Sequence, residues 1–519
     1  MRRLFVAIAL VLAVVLVAGT ALVAAFDAAP TNGASSRGPT PVTPSAAPSP
    51  TRPPSPALAS FYGQRLAWSD CHDGDQCASL TVPLDYRHPS ATTIKISVLK
   101  VPAADPTTRI GSLVINPGGP GEPGTTYAAL GAQAFGQPLL DHYDIVGFDP
   151  RGTGDSSPVD CLSDSALDRY LGADPEPSTP GEVAALRATQ HQMATGCSRL
   201  SGALASHIST VEAARDMDIL RAALGEGTLN YLGSSYGTKL GATYAQLFPH
   251  RVGRFVLDGA VDVSLGTRQL TLQQAAGFQR ALEAYAENCV DSSGGCFLGN
   301  TVPDVLQTIS TLIDQIAAKP LPAGDRELTA GNAFYGMAVT LYSRTYWVLL
   351  TQALRAALGG DGQPLMLLAD AYASRNPDGT FQNNSMEAFL AISCLDDPWS
   401  IPATRVPSQF PAFEKASPVF GKVFAWTLTS CRGFSPRSDE PVPTIHARGA
   451  APIVVVGTTR DPATPFAWAV ALAHQLDSGV LLRRDGDGHT GYHTGNSCID
   501  HAVESYLVSG IVPRNNTSC

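Results

Sequence analysis

One short motif in this 519-residue chain has the residue types and spacing that nucleophilic catalysis requires. Gly233-Ser234-Ser235-Tyr236-Gly237 follows the strand-like run Asn230–Leu232 and precedes a helical pattern over Thr238–Phe248. A serine between a strand and a helix is held on a tight, strained turn, and the flanking glycines let neighbouring chain pass close to it. The pentapeptide alone is a weak signal, but this context makes Ser235 the candidate nucleophile.

A serine nucleophile needs a general base, and the base needs a carboxylate that orients it. In the fold that carries this motif, the chain order is Ser, then Asp or Glu, then His. Asp461 follows the apolar run Ile453–Val456, and His489 lies in a glycine-rich segment after a strand around Leu481. We therefore predict that Ser235, Asp461 and His489 form a catalytic triad.

Two other residues compete for these roles. His493 is the alternative base, although it lies farther into the segment that follows. Asp258 is the alternative acid because it ends a predicted strand, where some hydrolases carry theirs. The sequence favours His489 and Asp461 and leaves both alternatives open.

A loop rich in glycine and proline, Asn116–Gly121, directly follows the apolar run Leu113–Ile115. Such a loop is rigid and exposes backbone N–H groups, which stabilise the oxyanion of an acyl-transfer intermediate. We predict that the N–H groups of Gly119 and Tyr236 form this oxyanion hole.

Short apolar runs that end in polar or glycine-rich turns recur along the chain and indicate a mostly parallel sheet with helices on both faces. These runs are Ser112–Ile115, Asp144–Phe148, Leu229–Leu232, Phe255–Leu257, Ile453–Val456 and Val480–Leu482. Ser209 and Glu212 have the spacing of a capping box, so a helix is expected to run from there to Leu224. The predicted fold class is therefore α/β, the α/β-hydrolase fold.

Between residues 265 and 390 the pattern becomes helical, over Leu270–Asn288, Val302–Ala318 and Ala330–Gly359. We interpret this region as a lid inserted between strands of the sheet. The predicted organisation is a first core segment at 58–264, the helical lid at 265–390 and a second core segment at 391–519.

These motifs together resemble the bacterial tripeptidyl aminopeptidase branch of the α/β hydrolases, which are serine exopeptidases related to prolyl aminopeptidase. The resemblance rests on Asn116–Gly121, Asp149–Gly154, Gly233–Gly237, Leu257–Gly259, Ala391–Cys394 and the loops of Asp461 and His489. It spans residues 58–519 and implies a secreted enzyme that releases short peptides from free N-termini. It also implies a C-terminal part similar to the tripeptidyl-aminopeptidase-like module.

An aminopeptidase must hold a cationic α-amine, so an acidic group is expected near the active site. Asp396 and Asp397, where the lid returns to the core, are candidates for substrate binding, although a solvated turn or a helix cap would explain them equally well. Glu122 is a third candidate and departs from the family, since relatives often have a small residue there. A rim charge is the alternative interpretation of Glu122.

The N-terminus predicts export. Arg2 and Arg3 precede an uncharged apolar run over Leu4–Phe26, and Ala21–Ala25 offers small residues for cleavage. Residues 1–29 are therefore a signal peptide or a retained N-terminal anchor. Residues 30–57, rich in Pro, Ser and Ala, read as a linker that holds the enzyme away from a membrane or cell wall.

Cysteine usage agrees with an exported protein, because ten cysteines are an even number and none forms a Cys-x-x-Cys zinc motif. Sequence alone does not determine their connectivity, and pairing between chain neighbours is our interpretation. The expected pairs are Cys71–Cys77, Cys161–Cys197, Cys289–Cys296, Cys394–Cys431 and Cys498–Cys519.

Three functions compete. A secreted or cell-surface serine exopeptidase with peptide substrates is the first, a carboxylesterase or lipase with the same triad is the second, and a non-catalytic binding module is the third. No metal or organic cofactor is needed for the first two. The net charge of −10 gives no reason to expect nucleic-acid binding, and the oligomeric state stays open.

Overall fold

The structure is a computed structural model that describes residues 52–72 and 74–519. The predicted signal or anchor at 1–29 and residues 30–51 of the predicted linker lie outside the described residues. None of the helices in the described part combines the length and the hydropathy that a bilayer crossing requires.

A ten-stranded sheet forms the centre of the described chain, in the order β1-β2-β3-β5-β4-β6-β7-β10-β11-β12. The strands are β1 (Ser69–Cys71), β2 (Asp75–Pro83), β3 (Thr93–Val101), β4 (Gly111–Asn116), β5 (Tyr143–Phe148), β6 (Leu229–Ser234), β7 (Val252–Asp258), β8 (Leu321–Ala323), β9 (Arg326–Leu328), β10 (Ile453–Arg460), β11 (Gly479–Asp487) and β12 (Thr517–Ser518). The first three strands join β5 in antiparallel fashion, and all other neighbours in this sheet are parallel. Each of the six predicted strands is present, and the predicted fold class is confirmed.

Both faces of the sheet are covered, as the continuous apolar runs require. Leu113 and Ile115 of β4 point into one hydrophobic cluster, whereas Val114 between them points into another. In β10, Val454 and Val456 alternate in the same way with their neighbours. The carboxyl ends of β4, β6, β7, β10 and β11 therefore share one edge, where the loops with the predicted site residues emerge.

The helices cover the sheet and build the lid. They are α1 (Ala59–Tyr62), α2 (Gly124–Ala128), α3 (Gln137–His142), α4 (Asp164–Leu171), α5 (Pro180–Ser201), α6 (Thr210–Ala223), α7 (Tyr236–Leu247), α8 (Thr267–Val290), α9 (Val302–Ala318), α10 (Ala330–Leu341), α11 (Trp347–Leu358), α12 (Gln363–Tyr372), α13 (Ser385–Asp396), α14 (Phe410–Ala416), α15 (Gly421–Thr427), α16 (Phe466–Gln475) and α17 (Ser497–Ser509). Ser209 caps α6 as its spacing predicts, since its hydroxyl accepts a hydrogen bond from Glu212 N–H at 3.3 Å.

The lid differs from its prediction in one helix. The pattern over Ala330–Gly359 predicts one helix, whereas the structure has α10 and α11 separated by a short 3-10 turn at Arg344–Tyr346. The break leaves the Tyr342 carbonyl free to accept a hydrogen bond from His489 N–H at 2.8 Å. The break between α10 and α11 thus coincides with a contact to a loop far along the chain.

The helices on either side of residue 390, the predicted boundary between lid and core, pack in a different way from the prediction. Side chains of α14 and α15, such as Phe413 and Phe424, belong to the hydrophobic cluster of the lid helices. Side chains of α13, such as Ala391 and Leu395, belong to the cluster under the sheet. The antiparallel hairpin β8–β9 was not predicted and lies within the lid segment.

All five predicted disulfide pairs are present and confirmed: Cys71–Cys77, Cys161–Cys197, Cys289–Cys296, Cys394–Cys431 and Cys498–Cys519. The Cys394–Cys431 bond joins α13 to the segment after α15. It therefore ties the sheet-packed end of the inserted region to its lid-packed part.

A buried arginine holds several loops beside the sheet. Arg151 is fully buried and donates two hydrogen bonds of 2.7 Å to Asp216. Its other N–H groups donate to the carbonyls of Pro83, Leu84 and His207, each at 2.9 Å. Arg151 thus satisfies a buried carboxylate and three backbone acceptors from two separate segments.

We expect Arg151→Met to lower the free energy of unfolding by about 3–5 kcal/mol, because it leaves the Asp216 carboxylate buried without its cation. Urea denaturation followed by tryptophan fluorescence measures this loss. The control is Arg432→Met, which removes an exposed arginine with no ion pair among the described residues and should change stability by less than about 0.5 kcal/mol. Equal, small losses in both variants would contradict the structural role of Arg151.

Candidate active site

Ser235 lies on the turn between β6 and α7. Its backbone has a conformation that residues other than glycine rarely adopt. Its φ of 56° and ψ of −124° are strained for a residue with a Cβ. The strain is held in place because Ser235 N–H donates a hydrogen bond of 2.8 Å to the carbonyl of Asp258 at the end of β7. The serine therefore stands at the carboxyl edge of the sheet, ahead of the N-terminus of α7.

His489 and Asp461 meet at the same edge. Both carboxylate oxygens of Asp461 lie 2.9 Å from His489 Nδ1. The carboxylate also accepts hydrogen bonds from the N–H groups of Ala463 at 2.9 Å and Thr464 at 2.8 Å, and from the Thr464 hydroxyl at 2.9 Å. These donors keep a fully buried carboxylate oriented toward the imidazole.

The surroundings of His489 favour its charged form. Burial lowers the pKa of His489, but the negative charge of Asp461 and the hydrogen bond to it raise the pKa above the ordinary histidine value. The charge of Asp258 acts in the same direction. An imidazole in this environment binds a proton readily, as a general base must.

The end of β7, at Asp258 and Gly259, lies next to both Ser235 and His489. Ser235 is bonded to the Asp258 carbonyl, and a methyl group built on the next residue, Gly259, would lie 3.2 Å from His489 Cε1. Glycine is favoured here because side-chain-bearing residues rarely adopt its φ of +65° and because an added methyl group would make tight contacts with the His489 loop. Ser235 Oγ makes no hydrogen bond to any described residue, and catalytic hydrogen bonds often tighten only when substrate binds.

The loop Asn116–Gly121 lies against the nucleophile turn. A methyl group on Gly118, whose φ is +104°, would lie 2.8 Å from Ser235 Cβ and 3.0 Å from Tyr236 N. Gly118 N–H donates to Asn116 Oδ1 at 3.0 Å, whereas the N–H groups of Gly119 and Tyr236 have no hydrogen-bond partner within the described chain. Two adjacent open donors are what an oxyanion hole requires.

The alternative acid and base have other contacts. The Asp258 carboxylate accepts hydrogen bonds of 2.8 Å from the N–H groups of Gly491 and Tyr492. Burial raises the pKa of Asp258 to about 6, although these backbone donors lower it. His493 N–H donates to Asp500 at 2.7 Å. Asp461, and not Asp258, is hydrogen-bonded to His489 Nδ1.

Asp396 faces the nucleophile helix rather than open space. Its carboxylate accepts hydrogen bonds from the N–H and hydroxyl groups of Thr210 and forms a 2.7 Å ion pair with Lys239. The Tyr236 hydroxyl lies 2.6 Å from the Thr210 hydroxyl. These contacts fix the side chain of Tyr236, so they give Asp396 a structural task beside the predicted oxyanion hole.

Asp397 follows the last residue of α13 and binds the first turn of the lid. Its carboxylate accepts hydrogen bonds from Thr267 N–H at 2.9 Å and from the Thr267 hydroxyl at 2.6 Å, in the first turn of α8. It also accepts one from Trp399 N–H at 3.1 Å. Burial raises the pKa of Asp397, but these hydrogen bonds outweigh it and bring the pKa below its usual range. Its predicted contact with substrate stays a prediction.

Among the three predicted substrate-binding carboxylates, Glu122 has neither a cation nor the backbone donors that hold Asp396 and Asp397. No Lys, Arg or His side chain of the described residues forms an ion pair with it. Burial raises the pKa of Glu122 to about 6. Ser385 Oγ faces it and lowers the pKa, but this hydroxyl lies beyond the reach of a normal hydrogen bond to any described residue.

The lid places two tyrosines over this space. The Tyr342 ring packs edge-on against the His489 ring, with their centres 5.3 Å apart. Burial raises the pKa of Tyr342 to about 12 and that of Tyr372 further, and the negative charge of Glu122 adds to both shifts. Glu122 therefore lies near the lid wall that covers the histidine.

Among the described residues, one group has metal-ligand spacing, Cys71, His72 and Cys77, and its two sulfur atoms are joined in a disulfide. A cysteine binds zinc as a thiolate, so two cysteines joined in a disulfide do not serve as zinc ligands. The candidate site contains a serine, an imidazole and carboxylates, a set that acts in acyl transfer without a cofactor.

Known proteins match this chain over most of its length. It is 37% identical over 481 residues to "Serine protease Hip1" of Mycobacterium tuberculosis, a match that covers 88% of this chain and 91% of the relative. It is 31% identical over 480 residues to "Tripeptidyl aminopeptidase" of Streptomyces lividans, with 89% and 88% covered. The family described as "TAP-like protein" matches residues 417–519. The chain belongs to the tripeptidyl aminopeptidase family of α/β hydrolases.

A third relative carries a different name within this family. "Carboxylesterase B" of Mycobacterium tuberculosis is 34% identical over 480 residues, with 89% of this chain and 91% of the relative covered. The family resemblance predicted from the motifs is confirmed.

Two residues of this tripeptidyl aminopeptidase-family site were not predicted. Thr464 lies three residues after Asp461, a spacing at which a hydroxyl commonly bonds back to an aspartate, so this signal could have been found. Its hydroxyl also lies 3.2 Å from His489 Nδ1. Tyr342 carries no such signal because its contact with His489 joins distant parts of the chain.

Two asparagine variants should distinguish the catalytic roles of the buried aspartates Asp461 and Asp258. Under the predicted roles, Asp461→Asn should lower kcat by about 10⁴-fold, because the imidazole loses its oriented carboxylate. Asp258→Asn should lower kcat by about 10- to 100-fold, because one backbone N–H of the His489 loop loses its acceptor and the imidazole moves. Steady-state hydrolysis of a fluorogenic substrate measures both.

The matched control is Asp291→Asn, an exposed aspartate at the end of α8, which should leave kcat unchanged. A larger loss in Asp258→Asn than in Asp461→Asn would make Asp258 the orienting acid instead.

Proposed function

We propose that this chain is a serine exopeptidase that hydrolyses peptide bonds near free N-termini through an acyl-enzyme. The observation that carries the proposal is the pairing of Asp461 with His489 Nδ1, next to a strained Ser235 at the same sheet edge. Relatives named as a serine protease and as a tripeptidyl aminopeptidase support it.

In the first step, Ser235 Oγ attacks the scissile carbonyl carbon while His489 Nε2 takes the hydroxyl proton. A tetrahedral intermediate forms, and its negative oxygen binds the N–H groups of Gly119 and Tyr236. The C–N bond then breaks, and the imidazolium gives its proton to the leaving amine. The product is an ester between Ser235 and the N-terminal fragment.

In the second step, water replaces the leaving peptide. His489 takes a proton from the water, whose oxygen attacks the ester carbonyl, and a second tetrahedral intermediate uses the same N–H donors. The C–O bond to Ser235 breaks, and the serine recovers its proton from the imidazolium. Asp461 holds the tautomer of His489 in both steps.

Substrate binding requires a carboxylate for the α-ammonium, and Glu122 is the best candidate. A partly buried carboxylate with no cation of its own gains most from a charged ligand, because the ligand supplies the missing charge. Asp396 and Asp397 are weaker candidates because Lys239 and Thr267 already occupy their oxygens.

Ester hydrolysis is the second candidate function. The same triad cleaves esters, and one relative is named "Carboxylesterase B". An uncharged acyl ester, however, offers no group to pair with Glu122. A peptidase function therefore explains the presence of the Glu122 carboxylate, whereas an esterase function does not.

The enzyme is proposed to act outside the cytosol, as a secreted protein or on the outer face of the cell envelope. Five disulfide bonds fit an oxidising compartment. Attachment to a membrane or cell wall through the N-terminal 57 residues is part of this proposal.

The N-terminus of the substrate should decide whether cleavage occurs. We expect the purified protein to hydrolyse peptides with a free α-amine at least tenfold faster than the same peptides with an acetylated N-terminus, because acetylation removes the charge that Glu122 binds. A short acyl ester is assayed in parallel, and Ser235→Ala should abolish all turnover. Equal cleavage of both peptides, or turnover of the ester alone, would contradict the exopeptidase.

The pH dependence of kcat and that of KM should distinguish the general base His489 from Glu122, the proposed binding site of the α-amine. Because His489 must be neutral to accept a proton and its pKa is raised, kcat should fall with decreasing pH around a midpoint above about 6.5. Because Glu122 loses its charge below a pKa of about 6, KM for free-amine peptides should rise as the pH falls through that value.

Initial rates between about pH 5 and 9 measure both effects. In Glu122→Gln, KM should be high and independent of pH, while the kcat profile stays. A wild-type KM that does not change across pH 6 would count against Glu122 as the amine site.

A further inference from the structure

A surface cleft lies between α5 and the loop that follows α15, and we call it the α5 cleft. Its volume is about 710 Å³, within the range of pockets that bind small molecules. Its lining includes none of the residues Ser235, Asp461, His489 and Glu122. The proposed peptidase reaction therefore gives this cleft no task.

One face of α5 forms the first wall of the cleft. Arg187 and His191 are four residues apart, so their side chains lie on the same side of the helix, and both residues are exposed. Ala184 and Ala188 lie on this face as well. Their small side chains leave room for a ligand beside the arginine.

The loop after α15 forms the opposite wall and adds Arg432 and Arg437. Arg437 Nη1 donates hydrogen bonds of 2.6 and 2.7 Å to two carbonyls of its own loop, which fixes the guanidinium. The walls approach each other at Gly433, where a methyl group would lie 3.5 Å from His191 Nδ1. The Cys394–Cys431 disulfide joins the start of this loop to α13, so the wall is held covalently.

The cations of the α5 cleft have no anionic partner within the described part of the chain. Arg187, Arg432 and Arg437 form no ion pair with a described carboxylate, and the lining contains no Asp or Glu. The whole chain carries a net charge of −10. Because charges farther away than about 8 Å are largely screened at physiological ionic strength, the three arginines determine the potential in the cleft.

A buried amide also indicates a ligand. Gln190 lines the cleft although the residue is only 8% exposed. Its carbonyl oxygen accepts a hydrogen bond of 3.0 Å from the Thr429 hydroxyl, whereas its amide nitrogen has no partner among the described residues. A polar group that is buried without a partner costs free energy, and an oxygen atom of a ligand would remove this cost.

We propose that the α5 cleft binds a small organic molecule through a phosphate monoester group. Arg187, Arg432, Arg437 and the Gln190 amide are its donors. A guanidinium presents its N–H groups in a fork that matches phosphate oxygens. A phosphate monoester carries about −1.5 to −2 charges at pH 7, so it compensates several cations better than one carboxylate does. The alanines of α5 then contact the organic part.

Calorimetric titration of the protein with phenyl phosphate, at constant ionic strength, tests the binding. We expect saturable binding of one ligand per chain, and an affinity about threefold or more above that of inorganic phosphate, because the ring covers apolar lining. Equal affinities would overturn the assignment to an organic phosphate. Ser235→Ala should bind phenyl phosphate as tightly as the wild type does, and a lost site in this variant would place the ligand in the active site instead.

Arg187→Gln tests the role of the cations. Neither an ion pair nor a hydrogen bond joins the Arg187 side chain to a described residue, so the variant should keep wild-type thermal stability in phosphate-free buffer. Its affinity for phenyl phosphate should fall about tenfold, because a charge-assisted hydrogen bond is lost. The matched control is Arg199→Gln, an exposed arginine of the same helix outside the lining, which should keep the wild-type affinity. Equal losses in both variants would indicate general charge attraction and overturn the assignment.

Vesicles of phosphatidylcholine with phosphatidic acid identify the source of the phosphate, because the phosphatidic acid headgroup is a phosphate monoester. Cosedimentation of the wild type but not of Arg187→Gln, reversed by phenyl phosphate, would support a lipid headgroup as the ligand. Binding of phenyl phosphate without cosedimentation would support a soluble ester. Binding in neither arm would overturn the proposal and leave the proposed peptidase function unaffected.

Discussion

The geometry of the site depends on the two hydrogen-bonding ends of Asp258. Its carbonyl accepts the N–H of Ser235, and its carboxylate accepts the N–H groups of Gly491 and Tyr492 in the loop of His489. One residue at the end of a central strand thus sets where the nucleophile turn and the histidine loop lie relative to each other. Burial of the Asp258 carboxylate costs free energy, as its raised pKa indicates. The hydrogen bonds from backbone N–H groups offset part of this cost.

The lid is part of the same arrangement rather than a separate cover. The Tyr342 carbonyl accepts the N–H of His489, so the break between α10 and α11 supports the loop that carries the base. On the other side, Asp396 reaches the Tyr236 side chain through Thr210, so α13 supports the oxyanion side. Movement of the lid would therefore change both halves of the site, which couples access of substrate to the catalytic geometry.

Charge distribution explains why three acidic residues near the lid have different tasks. The carboxylates of Asp396 and Asp397 are neutralised or hydrogen-bonded within the fold, and they hold the lid to the core. Glu122 has neither a cation nor a strong donor among the described residues, and burial raises its pKa more than Ser385 lowers it. A carboxylate left in this state next to Gly119 is suited to a cationic ligand, as the proposed exopeptidase function requires.

The sequence by itself determined the fold class and the candidate triad, because strand periodicity, motif spacing and chain order are read along the chain. The tertiary structure decided the pairing of the ten cysteines, which the sequence left open. Thr464 was within reach of the sequence, since its spacing from Asp461 is short. Only the tertiary structure decided that Asp461 and not Asp258 contacts His489, since both follow strands at one sheet edge. It also decided that Asp396 and Asp397 have partners while Glu122 has no cation among the described residues, because those partners lie more than one hundred residues away along the chain and no local pattern encodes them.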